Sequence, residues 1–366
     1  MRPGRRAIAI AAAALGSAAA GGALLQRRQV RTRRAEGRAG GREADELGSL
    51  HSDAVTVTAS DGVRLHAEVD EVSPGSTDGG GSARDGATSP TLVFVHGYAL
   101  NLDCWHFQRL HFRGRHRMVF FDQRSHGRSE RSSKERATID QLGHDLKCVL
   151  DQLATEGPVV LIGHSMGGMS IMALSEHYPG LFGDRVAGVA LISTTAGGLR
   201  SHRAISPLLP DRLMSQITPR VMAGLARAPG LVDGARRAGS DIGFLATSKF
   251  AFGDEVPTSY VEFVDEMLAR TPFDVLAEFF PNFDSLDKFA VLEAFDQVST
   301  VIICGDHDLL TSIGHSRKMA SRLPRARLVE CAGAGHMVIL ERPDEVHAAL
   351  EQLIGDATSG SSPVAR

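Results

Sequence analysis

Short apolar runs alternate with longer amphipathic segments along most of the chain after residue 90. Short runs that are almost entirely apolar predict buried strands. They lie at residues 91–95, 117–121, 158–162, 186–193 and 300–304. Segment 138–154 repeats leucine and valine at helical spacing and predicts a helix. The alternation predicts an α/β fold with a doubly wound, mostly parallel sheet, whose functional site lies beyond the carboxyl ends of the strands.

Two regions depart from this alternation. Residues 55–70 alternate apolar and polar positions around Asp61-Gly62, which predicts a β-hairpin. The stretch between residues 193 and 300 has no strand pattern and contains several short helical segments. Because it is far too long for a plain connection, it predicts a separate helical layer.

A Gly-His-Ser-Met-Gly string occupies residues 163–167, directly after the apolar run 158–162. A serine hydroxyl is a poor nucleophile unless a tight strand-to-helix turn exposes it beside a base, and glycines on both sides leave room for that turn. Such strings also arise by chance in a chain with 39 glycines. The predicted strand before it and helix after it favour Ser165 as a nucleophile.

A candidate acid and a candidate base for Ser165 follow later in the chain. Asp306 and Asp308 come directly after the strand-like run 300–304, and His336 follows the β-like stretch 326–331. In this chemistry a histidine takes the proton of the attacking serine, and a carboxylate fixes the histidine tautomer. The order serine, aspartate, histidine is the order found in α/β-hydrolases.

Five motifs occur in the order of one known superfamily. They are HGY at 96–98, DQRSHGRS at 122–129, GHSMGG at 163–168, GDHD at 305–308 and GAGHM at 333–337. Over residues 55–355 the chain resembles the α/β-hydrolases, in particular capped serine esterases and lipases and their peroxidase-like and epoxide-hydrolase-like relatives. The resemblance implies that Asp308 is the acid, with Asp306 as the alternative.

The resemblance also implies a site for the oxyanion of the reaction. The backbone N–H groups of Tyr98 and Met166 are the expected donors. His96 is expected to hold its loop rather than to transfer protons, and Ser125 stands where relatives usually have glycine. The residues expected to support the site are His96, Gly97, Gly163 and Gly167.

A serine hydrolase that cleaves carboxylic esters through an acyl-enzyme is the function that the resemblance implies, with apolar acyl substrates and no cofactor. The same motifs suit a cofactor-free peroxidase, a perhydrolase or a carbon–carbon hydrolase. Relatives that act on epoxides or halides carry a carboxylate at the position of Ser165. A non-catalytic binding protein is disfavoured because such proteins usually lose a member of the triad.

Charge and cysteine content narrow the functional classes. Residues 1–50 carry ten arginines and four acidic residues, whereas the remainder carries 30 basic and 39 acidic residues. A body this acidic, without a basic stripe, argues against nucleic-acid binding. The four cysteines are scattered singly and show no zinc-ligand spacing, so no metal site is expected. Oligomeric state has no signal in the sequence.

Residues 7–25 form an uncharged run, rich in alanine and glycine, between arginines. The run is about long enough to span a bilayer, which takes roughly 20 residues. Since more arginines follow it than precede it, the positive-inside rule predicts a membrane anchor with a cytoplasmic enzyme body. Export through a cleaved or twin-arginine signal is the alternative.

These patterns predict five units. They are the apolar segment and basic linker at 1–50, the first part of the α/β-hydrolase core at 51–198, a helical cap at 199–298, the last part of the core at 299–355 and a disordered tail at 356–366.

Overall fold

A computed structural model describes residues 46–74, 89–199 and 240–359. These residues build an eight-stranded sheet in the order β1-β2-β4-β3-β5-β6-β7-β8. The strands are β1 Ala54–Thr58, β2 Arg64–Asp70, β3 Thr91–Val95, β4 Met118–Phe121, β5 Val159–His164, β6 Val186–Ile192, β7 Ser299–Gly305 and β8 Arg327–Cys331.

Most of the sheet is parallel, as the alternation of strands and helices predicts. Strands β4, β3, β5, β6, β7 and β8 pair in parallel, whereas β1 pairs with β2 and β2 with β4 in antiparallel fashion. The hairpin predicted around Asp61-Gly62 is confirmed, since Thr58 pairs with Arg64 and Gly62 takes a φ of 87°. The six parallel strands bring their carboxyl ends to one edge of the sheet.

Helices cover both faces of the sheet. They are α1 His106–Phe112, α2 Ile139–Leu153, α3 Met166–His177, α4 Ser240–Ala251, α5 Thr258–Arg270, α6 Phe273–Phe279, α7 Pro281–Ser285, α8 Ile313–Ala320, α9 Val338–Glu341 and α10 Pro343–Thr358. The predicted helix at 138–154 is confirmed as α2, whose Thr138 side chain accepts a hydrogen bond from the Gln141 N–H. Helix α10 continues three residues past the boundary predicted at residue 355.

The core lies on both faces of the central strands. Strand β3 is buried over its full length, and its side chains alternate between two apolar clusters. Leu92 and Phe94 pack on one face, and Val93 and Val95 on the other. Since both faces are covered, the strand reads as a continuous apolar run in the sequence.

Residues 240–298, between β6 and β7, form a series of helices joined by short turns and contain no strand. They pack against the core through a third apolar cluster, in which Val275 and Phe279 of α6 lie with Met166 and Met169 of α3. Helix α3 begins directly after Ser165. The helical layer therefore lies over the carboxyl end of β5.

Several predicted features lie outside the described residues. They are the apolar segment at 7–25, most of the linker before residue 46, the part of the predicted cap at 200–239 and the tail after residue 359. Within the described ranges, no helix combines the length and the apolar character needed to cross a bilayer.

Helix α3 begins in backbone contact with strand β3. A Cβ atom on Gly167 would lie 2.0 Å from the carbonyl oxygen of Val95. Because that neighbour is backbone in a central strand, a side chain at this position requires the helix to move away from the sheet. Gly167 therefore sets how closely the turn at Ser165 approaches the strand ends.

Substituting Gly167→Ala is expected to lower the free energy of unfolding by about 1–3 kcal/mol, the usual cost of overpacking. The matched control is Gly180→Ala, since a Cβ there meets nothing within 4 Å. This control is expected to change stability by less than about 0.5 kcal/mol. Urea denaturation of both variants measures the difference, and equal stabilities would contradict the steric interpretation.

Candidate active site

Ser165 lies in a strained turn between β5 and α3. Its backbone has a φ of 53° and a ψ of −118°, a combination that non-glycine residues rarely adopt. The Ser165 N–H donates to the Ile192 carbonyl at 2.9 Å, and its carbonyl accepts from the Thr194 hydroxyl at 2.6 Å. These bonds to the end of β6 hold the strained conformation.

Three glycines leave the space that this turn needs. A Cβ atom on Gly163 would lie 2.7 Å from the backbone of Gly167, and one on Gly97 would lie 2.9 Å from the His164 ring and 3.1 Å from the Ser165 Cβ. With Gly167, they are the three glycines predicted to support the site. Their role here is steric, because each stands where a side chain has no room.

Asp308 and His336 form a buried pair. The loop after β7 carries Asp308, and the loop after β8 carries His336. The His336 Nδ1 atom lies 2.9 Å from Asp308 Oδ2. Because an ionised carboxylate only accepts hydrogen bonds, the ring proton is assigned to Nδ1.

The Asp308 carboxylate has further donors. The Thr311 hydroxyl donates to Oδ2 at 2.8 Å, and the N–H groups of Leu310 and Thr311 donate to Oδ1 at 2.8 and 2.9 Å. Burial by itself raises the pKa of Asp308, but the attraction of His336 and the bonds from Thr311 outweigh it and hold the pKa below its usual range. The group is therefore ionised at neutral pH.

Asp306, the alternative acid, has a different partner. Its Oδ1 atom accepts a hydrogen bond from the Gly333 N–H at 2.7 Å. This hydrogen bond joins the loop after β7 to the loop after β8. Of the two aspartates after β7, Asp308 is the one in contact with the His336 ring.

The described contacts place His336 beside the turn at Ser165. The His164 Nε2–H donates to the His336 carbonyl at 2.9 Å, and the centres of the two rings lie 4.9 Å apart. Within the described residues, both hydrogen bonds of the His336 ring use Nδ1, and no hydrogen bond joins the Ser165 hydroxyl to this ring. The Nε2 atom of His336 is therefore the nitrogen left to accept a proton.

His164 is an unsuitable base. Its Nδ1 atom is buried without a hydrogen-bond partner. Burial, followed by the nearby His336, lowers the pKa of His164 to about 3. The ring is neutral at physiological pH and fixes the position of the His336 backbone.

His96 holds the loop that follows β3. Its Nδ1–H donates to the Gly97 carbonyl at 2.7 Å, and its Nε2 accepts from the Gln123 N–H at 2.9 Å. The Gln123 amide in turn donates to the His96 carbonyl at 2.6 Å and accepts from the Ser170 hydroxyl at 2.7 Å. Burial lowers the pKa of His96 to about 4, so the ring is neutral. Both ring nitrogens are therefore used in hydrogen bonds to the backbone of the loops after β3 and β4.

The two expected oxyanion donors belong to the loop after β3 and to the start of α3. Met166 is the first residue of α3, where an N–H has no acceptor within the helix. The Tyr98 side chain extends into the helical layer, where its hydroxyl donates to the Leu276 carbonyl at 2.6 Å and its ring lies edge-on to Phe283. The Tyr98 side chain thus joins its loop to α6.

Ser125 takes a backbone conformation that favours glycine. Its φ is 64°, in the left-handed region that glycine adopts most readily. The adjacent His126 donates from Nδ1 to the Arg124 carbonyl at 2.9 Å, and burial lowers its pKa to about 3. Ser125 and His126 shape the loop after β4.

One group of possible metal ligands occurs among the described residues. Asp140, Glu176 and His177 bring carboxylate and imidazole atoms together at the surface. The Lys288 ammonium bonds both carboxylates. A cation of the protein itself therefore neutralises this cluster.

Sequence reasoning missed Thr311, Gln123 and Ser170. Thr311 stands three residues after Asp308, a spacing at which side chains commonly bond to one another in a local turn, so this signal was available. Gln123 and Ser170 come from separate elements, and no local pattern connects them.

Known proteins share both the sequence pattern and the fold. A model of the alpha/beta hydrolase fold family matches residues 90–343. The dihydrolipoyllysine-residue acetyltransferase component of the acetoin cleaving system of Pseudomonas putida is 26% identical over 257 residues, which cover 70% of this chain and 61% of that protein. The sn-1-specific diacylglycerol lipase ABHD11 of Mus musculus is 26% identical over 262 residues, which cover 71% of this chain and 79% of the lipase.

A solved structure of a thermophilic esterase from Thermogutta terrifontis, with malate bound, covers 84% of this chain and 100% of its own at a TM-score of 0.61. Its sequence identity is 20%, so this likeness shows the fold alone. The family match, in contrast, covers more than half of the chain. The protein therefore belongs to the alpha/beta hydrolase fold family and is an enzyme of the hydrolase class.

Proposed function

We propose that the protein hydrolyses carboxylic esters by two-step acyl transfer. Ser165 is the nucleophile, His336 the general base and Asp308 the group that orients the imidazole. The N–H groups of Tyr98 and Met166 bind the oxyanion. The helical layer of residues 240–298, the described part of the cap, covers this site and contributes to the acyl pocket.

The observation that carries this proposal is the contact between Asp308 and His336. The 2.9 Å bond fixes the proton on Nδ1 and leaves Nε2 to act as a base. The bond from His164 to the His336 carbonyl joins this pair to the residue before Ser165. A base with a carboxylate partner, next to a serine in a strained turn, is the arrangement that activates a hydroxyl.

In the first step the Ser165 oxygen attacks the ester carbonyl while the His336 Nε2 atom takes its proton. The two backbone N–H groups stabilise the negative charge that develops on the carbonyl oxygen. The imidazolium then returns the proton to the departing alkoxide. The ionised Asp308 stabilises that cation throughout the step.

In the second step water replaces the alcohol. The His336 Nε2 atom takes a proton from water as the water attacks the acyl-enzyme, and the same proton returns to the Ser165 oxygen. The acid leaves, and the enzyme is restored. The free enzyme requires no Ser165–His336 hydrogen bond for this mechanism, since catalytic bonds often tighten only when substrate is bound.

Apolar surroundings support an ester with an apolar acyl group. Met166 and Met169 at the start of α3 lie in one cluster with Val275 and Phe279 of the cap. Methionine and phenylalanine adapt well to hydrocarbon chains. One relative is named a diacylglycerol lipase, and diacylglycerol is an ester with apolar acyl groups.

Substituting Ser165→Ala is expected to lower kcat/KM for p-nitrophenyl butyrate on the order of a thousandfold or more, because the nucleophile is lost. The control is Ser175→Ala, because Ser175 is a buried serine of α3 whose hydroxyl donates to the Met172 carbonyl. A fluorophosphonate probe should label the wild type and the control but not the Ser165 variant. Turnover retained by Ser165→Ala would remove the nucleophile assignment.

The two aspartates after β7 should respond differently to amide substitution. Asp308→Asn replaces the acceptor of the His336 Nδ1–H and should lower kcat on the order of a thousandfold or more. Asp306→Asn keeps an oxygen that can accept from Gly333 and should retain nearly full activity. Steady-state ester hydrolysis by both variants decides between them. A larger loss from Asp306→Asn would transfer the acid role to that residue.

Ester chain length is expected to change the rate. If the pocket is lined by the cap, lengthening the acyl group from acetate to hexanoate should raise kcat/KM by about tenfold or more, since added methylenes are removed from water. A series of p-nitrophenyl esters measures this dependence. A rate that is highest for acetate would contradict an apolar acyl pocket.

A further inference from the structure

The loop that carries His336 lies in backbone contact with a turn of the cap. A Cβ atom on Gly253 would lie 2.3 Å from the Gly333 carbonyl oxygen, and one on Gly335 would lie 2.4 Å from the Gly253 nitrogen. The two segments therefore pack without side chains between them. Any movement of the cap turn acts directly on the residues that precede His336.

Glu341, in α9, links these two segments. Its Oε1 atom accepts from the Gly335 N–H at 2.8 Å, and its Oε2 atom accepts from the Gly253 N–H at 2.9 Å. The residue is 9% exposed. A single rigid carboxylate thus bonds the residue before His336 with one oxygen and the cap turn with the other.

Two neighbouring contacts strengthen this junction. The Met337 N–H, on the other side of His336, donates to the Ala251 carbonyl at 2.8 Å. The Arg342 guanidinium donates to Asp254 at 2.7 Å and to the Ala332 carbonyl at 3.0 Å. The backbone on both sides of His336 is therefore bonded to the cap or to a group that bonds the cap.

We propose that Glu341 is a positioning residue, which sets the placement of His336 by bridging the Gly335 and Gly253 amides. The proposal rests on the role proposed for His336 as the base. A misplacement of about 1 Å can lower a rate by roughly a hundredfold, because proton transfer depends steeply on geometry. Through this bridge, the position of the cap over the substrate affects the alignment of the base.

The chemistry of the bridge requires a carboxylate. The two groups that these bonds join to the Glu341 oxygens are backbone N–H donors, and each needs an acceptor. A glutamine at this position supplies one acceptor oxygen and one NH₂ group. The NH₂ group would face the second backbone N–H, and two donors cannot bond each other. The isosteric amide therefore breaks one half of the bridge while filling the same volume.

Substituting Glu341→Gln is expected to lower kcat for p-nitrophenyl butyrate by about tenfold or more, with KM changed by less than about threefold. The control is Glu345→Gln, because Glu345 is exposed and lies 3.9 Å from the Arg342 side chain. It should keep wild-type kinetics. Glu341→Asp keeps the charge but is shorter, so it cannot retain both bonds and should also lose kcat, which provides a second test if the glutamine variant does not fold.

Amide hydrogen exchange, measured by mass spectrometry, separates positioning from general stability. Glu341→Gln should speed exchange in the peptides that contain Gly253 and Gly335, with little change in β3. Unchanged kcat in a folded variant, or faster exchange throughout the core with kinetics unchanged, would overturn the proposal. If the wild type hydrolyses no ester and takes no fluorophosphonate label, the proposed function fails, whereas the exchange experiment still tests the bridge.

Discussion

The strained backbone at Ser165 is the constraint on which the site depends. A positive φ in a non-glycine residue costs on the order of 1–3 kcal/mol and persists only where its surroundings hold it. Here the end of β6 bonds the Ser165 backbone on both sides. Glycines at 97, 163 and 167 allow the neighbouring segments to approach. The sheet and α3 thus maintain a conformation that an isolated peptide would not keep.

A carboxylate partner distinguishes His336 from the other histidines around this turn. His96, His126 and His164 are buried without a carboxylate partner, and burial lowers their pKa values to about 4, 3 and 3. They are neutral and serve as hydrogen-bonding groups for the backbone. His336 differs because it bonds the ionised Asp308. A partner that stabilises the imidazolium is what a general base needs.

The helical layer of residues 240–298 is bonded to two loops of the site. Tyr98 reaches the α6 backbone from the loop after β3, and Glu341 joins the cap turn to the loop of His336. An expected oxyanion loop and the expected base are therefore each bonded to the same helical layer.

The sequence by itself determined the strands, the hairpin at Asp61-Gly62 and the order of Ser165, Asp308 and His336. Those features depend on local periodicity, on turn chemistry and on short motifs, which a sequence displays directly. Only the tertiary structure decided that Asp308 rather than Asp306 contacts the imidazole, and that Glu341 bridges two loops. Such pairings join residues far apart in the chain, and their distances follow from how the sheet and the cap pack together.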